Sequence, residues 1–148
     1  MTTESDVAGF VAKFAPEMQE QITACRRGMR RRFPDAVELV YDNYNFLVFG
    51  FGPTPRPSEA VFSMAAGARG IRLFFLQRAL ELPDPHHLLG GSGTKVRNLP
   101  LPDARELERA EVTALMEAAC ALASIPMTAA QGPAVVVRSI SAKQRPRR

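Results

Sequence analysis

The residue types best suited to gripping a small ligand fall in two short segments. Tyr41, Asp42, Tyr44 and Asn45 surround Asp42-Asn43, a pair with turn chemistry. Aromatic rings grouped with a carboxylate and an amide can line a ligand pocket. The same residues also fit a core tyrosine with a satisfied hydroxyl beside a plain turn. Phe62, on a later strand, joins them as a candidate contact. In Gly90-Gly91-Ser92-Gly93-Thr94-Lys95, successive backbone N–H groups can form an anion nest, with Lys95 and Arg97 adding charge. The phosphate-loop pattern GxxxxGK[ST] is absent, because Thr94 separates Gly93 from Lys95 and strand follows rather than helix. A turn closed by its own hydrogen bonds accounts for these glycines equally.

Metal and catalytic chemistry have thinner support. Asp84, His86 and His87 form the one histidine cluster. Adjacent histidines diverge on a strand and on a helix, so they chelate poorly as a pair. Ser63, His87 and Asp42 can be written as a triad, but no nucleophile elbow is present. No catalytic constellation emerges, and the chain reads as a non-enzyme. Cys25 sits on a helix seam, where a thiol acts as a small hydrophobe. Cys120 lies opposite the apolar stripe of its own helix, near the C-terminal end, which does not favour a reactive thiolate.

Arg26, Arg27, Arg30, Arg31 and Arg32 crowd one helix end, where positive charge suits the helix dipole. With Arg145, Arg147 and Arg148 they form the alternative, a phosphate- or acid-binding surface for nucleic acid or an acidic partner. No aromatic residue lies in that tail to stack on bases. The chain has 148 residues and a net charge of +4, from 19 Lys and Arg against 15 Asp and Glu. Five of those bases and no acid lie in residues 138–148, so the rest is close to neutral and the tail reads as a frayed basic appendage.

The elements that would position these residues follow from periodicity. Val7, Phe10, Val11 and Phe14 share one face of a helix from about Ser5 to Phe14. Pro16 opens a second helix that runs to Arg32 and stops at Phe33-Pro34. Strands are expected over Val37–Tyr41, Tyr44–Phe51, Ala60–Ala65, Ile71–Gln77 and Lys95–Leu99, with tight loops that imply antiparallel pairing. Asp103 and Glu106 read as a capping box for a long helix ended by Pro126, and Ala134–Val137 as a candidate edge strand. The fold class is therefore α+β: two N-terminal helices, an antiparallel sheet of four or five strands, and a long C-terminal helix on one face. Residues 1–126 read as one domain and 127–148 as an extension. No apolar run spans a membrane and the start lacks a signal-peptide pattern, so a soluble cytoplasmic protein is expected.

The order Glu38-Leu39-Val40-Tyr41-Asp42-Asn43-Tyr44-Asn45, Phe62-Ser63, Ile71-Arg72-Leu73-Phe74-Phe75 and Leu88 to Arg97 resembles the YdhG-like domain family of bacteria. The resemblance covers roughly residues 16–122. It implies a small frataxin-like cytosolic two-layer domain, of which one relative acts as an iron chaperone. Iron is thus the implied cargo. The dense acidic row of frataxin-like iron binding is replaced here by Glu4, Asp6, Glu17 and Glu20, then five arginines. The expected function is binding of a small ligand or metal.

Overall fold

The structure, a computed structural model, describes residues 3–148. Two helices open the chain, α1 (Thr3–Val11) and α2 (Pro16–Arg32). Val7, Phe10, Val11 and Phe14 are buried, as are Ile22, Cys25 and Met29 on the seam of α2. Pro16 occupies the first turn of α2, where no intrahelical donor is needed.

Five strands then pair in sequence as an antiparallel meander: β1 (Val37–Asp42), β2 (Leu47–Gly52), β3 (Phe62–Gly67), β4 (Gly70–Phe75) and β5 (Arg97–Leu101). Alternation divides them into two faces. Val40, Phe49, Phe51, Phe62, Met64, Leu73, Phe75 and Leu99 point to the helices and merge with their apolar residues into one core. Phe62 stacks on Phe33 at 5.3 Å between ring centroids and meets Phe75 edge-on at 5.6 Å.

The remainder departs from the expected plan. The stripe after Asp103 is not one long terminal helix. Asp103 caps a 3-10 turn over Ala104–Glu108 by accepting from the Arg105 N–H. Arg109 is extended (φ −61°, ψ 138°), and α3 runs only over Ala110–Leu122. The break lets Leu107 pack against α2, where a Cβ on Gly28 would lie 2.9 Å from Leu107 Cδ1.

A sixth strand, β6 (Ala134–Ile140), completes the sheet in the order β5-β4-β3-β2-β1-β6. It lies parallel to β1, with a bulge between the partners of Val40 and Tyr41. The sheet is thus six-stranded and mostly antiparallel. The loop from α3 is tied beneath it by the Gln131 N–H on the Pro53 carbonyl and the Gly132 N–H on that of Asp35, at 2.9 and 3.0 Å. Among the described residues no helix is long and apolar enough to cross a membrane.

Candidate functional site

Strand β1 reads Val-Glu-Leu-Val-Tyr-Asp, and Glu38, Val40 and Asp42 share the face that meets the helices. Two carboxylates are thereby driven into the core side, and each is met by cations from the helices and tail. Buried charge is stable only when paired and hydrogen-bonded.

Asp42 is fully buried. Lys13 Nζ donates to its Oδ2 at 2.6 Å, and Arg147 Nη2 donates to its Oδ1 at 3.0 Å. The same Nη2 reaches the Asn43 carbonyl at 2.7 Å, and the guanidinium lies over the Phe14 ring. Burial alone would push the Asp42 carboxyl up, but its hydrogen bonds, that from Lys13 foremost, hold it below its ordinary value. Gln144 bridges the cluster, accepting from Lys13 and donating to the Asp42 carbonyl, both at 3.0 Å. The tail expected to fray is thus anchored. Arg145 adds a backbone bond to the Tyr44 carbonyl at 2.8 Å and lies over the Tyr44 ring, and Arg148 Nε donates to the Lys13 carbonyl.

Glu38 anchors the second cluster. Arg26 grips it through two bonds, Nε to Oε2 at 2.8 Å and Nη2 to Oε1 at 2.7 Å, and stacks over Phe49. Arg30 Nη2 donates to Glu38 Oε1 and to Glu4 Oε2, both at 2.9 Å. The bond from Arg30 holds the Glu4 carboxyl below its ordinary range. Above this cluster opens a cavity of about 420 Å³. Glu4, Arg30 and Glu38 supply its charged side, and Phe33, Phe51, Pro133 and Val135 its apolar walls.

The candidate ligand residues read from sequence are dispersed. Tyr41 and Asp42 point to opposite faces of β1, Tyr44 and Asn45 are exposed in the turn, and Phe62 lies in the core. Gly91, Ser92, Gly93 and Lys95 lie just before β5 and Arg97 opens it, four strands from β1, or about 19 Å at normal strand spacing. That loop closes on itself: Gly90 pairs with Asn98, and Arg97 Nε donates to the Gly93 carbonyl at 2.7 Å. None of these residues lines any of three cavities found on the molecule.

Asp84 uses both carboxylate oxygens on backbone N–H groups, of Leu88 and Leu89, each at 2.9 Å. His86 and His87 are exposed beside it, and no group of three or more His, Cys, Asp or Glu is placed to hold a metal among the described residues. Of the arginines, Arg26, Arg30 and Arg147 spend their charge on buried carboxylates. Arg32 donates to the Leu107 carbonyl, while Arg27 and Arg31 are exposed.

Burial disfavours the thiolate at both cysteines. Burial pushes the Cys25 thiol up to about 11, and burial also raises Cys120 against the opposing pull of Arg32. A disulfide reagent at pH 7.5 is expected to leave Cys25 unmodified in the folded chain and to react with Cys120 slowly. Both should react at once in denaturant. Rapid stoichiometric labelling of Cys25 without denaturant would contradict this environment.

Glu38 was missed as a site residue because alternation with Val37, Leu39 and Tyr41 turns Glu38 and Asp42 toward solvent, whereas both faces of β1 are covered in the fold. The part that sequence does carry is Arg26 and Arg30 at i and i+4, which supply cations on one helix face. Comparison with known families, with curated proteins and with solved structures finds no match, so the functional argument rests on this geometry.

Proposed function

We propose that this chain is a small-molecule-binding domain whose site is the cavity between α1, α2, β1 and the start of β6. The observation that carries the reading is an apolar-walled cavity of about 420 Å³ beside a buried ion cluster, within the ordinary size range of ligand pockets. Apolar walls give affinity and a few fixed polar groups give orientation. YdhG-like membership belongs to the same proposal. Its support is the sequence pattern together with an α+β sheet covered by helices on one face. Iron as cargo would need ligands beyond the clusters described, and nothing in them favours it.

The test is a thermal-shift panel of small organic acids, amines, nucleotides and iron salts. A ligand at a hundred times its dissociation constant adds about 2.7 kcal/mol. At this chain length that raises the midpoint by about 5–10 °C. Ala134→Phe, which puts a ring at the cavity wall, should abolish the shift while the protein still folds. A ligand whose shift survives Ala134→Phe binds elsewhere and sinks this assignment.

A further inference from the structure

The charges around the cavity are arranged unequally, and this inference rests on the small-molecule reading above. Glu38 is almost wholly buried, its side chain 3% exposed, and both its oxygens are taken by Arg26. Glu4, on the first turn of α1, is 54% exposed and is held chiefly by Arg30. Arg30 itself makes both its ion-pair bonds through Nη2. Its Nε and Nη1 donate to no protein group among the described residues. A guanidinium offers five donors in a planar fork, shaped for two-point grip of a carboxylate. From within the core Glu38 takes Arg26 by two bonds and Arg30 by one. Glu4 shares Arg30 from the solvent side and reaches Arg26 only at 3.5 Å.

We propose that the cavity takes a monocarboxylate with an apolar body, its carboxylate replacing that of Glu4 on Arg30. The apolar body then lies against Phe33, Phe51 and Val135. Glu4 acts as an internal competitor: it keeps Arg30 paired while the site is free and moves into water when a ligand carboxylate arrives. Exchange of one carboxylate for another leaves the net charge of the cluster unchanged. A dianion would leave one charge without a partner, and a neutral body would leave Glu4 in place.

The probe is 4-phenylbutyrate, with 4-phenylbutyramide as its neutral counterpart, titrated into the full chain and followed by amide shifts in NMR spectra. The acid should perturb residues around Ala36 and Val135 and bind about tenfold or more tighter than the amide. Arg30→Met should remove that preference, and Glu4→Gln should tighten the acid several-fold. A gain of affinity cannot come from a variant that fails to fold, so Glu4→Gln protects the test against a collapsed Arg30→Met. Equal binding of acid and amide, or an acid indifferent to both variants, overturns this inference and leaves the small-molecule reading standing. No perturbation by either probe overturns both.

Discussion

Asp42→Ala is expected to lower the thermal midpoint by about 10 °C and to release the C-terminal tail. The carboxylate is fully buried and receives Lys13 and Arg147, while Arg147 Nε and Nη1 are buried with no hydrogen-bond partner among the described residues. Removing the one anion leaves the Arg147 guanidinium uncompensated in the core side. Breaking a buried pair from one side costs about 3–5 kcal/mol. At about 2–4 °C per kcal/mol for a chain of this size, the expected shift follows. The tail can limit that cost by undocking, because Arg145 and Arg148 hold it only at exposed positions. Trypsin should therefore cut after Lys143 faster in Asp42→Ala than in the native chain. The pH dependence has a fixed sign. The Asp42 carboxyl is held below its ordinary value in the fold, so the unfolded chain takes up the proton first as pH falls. Its stabilisation is complete above about pH 4 and is lost as pH falls through the folded value. The native midpoint should drop below pH 4, and Asp42→Asn should flatten that drop. A midpoint within 2 °C of native (about 0.5–1 kcal/mol) with unchanged cleavage would refute the anchor.

Local signals in the sequence specified some elements well. Helix α2 begins and ends where Pro16 and Phe33-Pro34 place it, because proline acts on its own backbone and on the residue before it. The strands occur where expected but are displaced by one to three residues, since a continuous apolar run carries no end signal. Tyr44 to Phe46 has strand-like composition, yet the Asn43 N–H bonds to the Phe46 carbonyl at 3.0 Å and makes it the hairpin turn. The stripe from Leu107 to Leu122 keeps helical spacing across a break at Arg109, because a 3-10 turn also brings residues three apart to one side. Pairing of β6 with β1 joins residues far apart in the chain, and no local pattern encodes it. The same holds for the tail, which reads as solvated until Asp42 is recognised as an inward acid that needs a distant cation. Of the candidate site, Arg26 and Arg30 were legible as a spacing on a helix, whereas alternation with Val37, Leu39 and Tyr41 turns Glu38 outward. The cavity was not legible, because Pro133 and Val135 reach it only through β6.

Glu38→Gln should move stability and ligand affinity in opposite directions. The native carboxylate carries both Arg26 and Arg30, and Arg26 is well covered, its side chain 14% exposed. The amide keeps the shape and one acceptor but leaves Arg26 with a weakened grip over Phe49. The loss expected is about 3 kcal/mol, the scale for a buried charge that loses its counterion. It should be read as a fall in denaturant midpoint at unchanged slope. The coupling is separable with a double-mutant cycle. Arg26→Met alone leaves Glu38 with only the single bond from Arg30, whereas Glu38→Met with Arg26→Met replaces the whole pair by apolar volume. The double variant should be more stable than the sum of the two single losses predicts, by about 0.5–3 kcal/mol. Strict additivity would mean that the two side chains are not energetically joined. Arg30 meanwhile loses one of its two anions, so its pull on a ligand carboxylate grows. A cluster that serves the fold alone predicts weaker or unchanged binding of 4-phenylbutyrate in Glu38→Gln. A cluster that also reserves Arg30 for a ligand predicts tighter binding in the less stable protein. That opposition is the usual mark of a site whose charges are arranged for binding at some cost in stability.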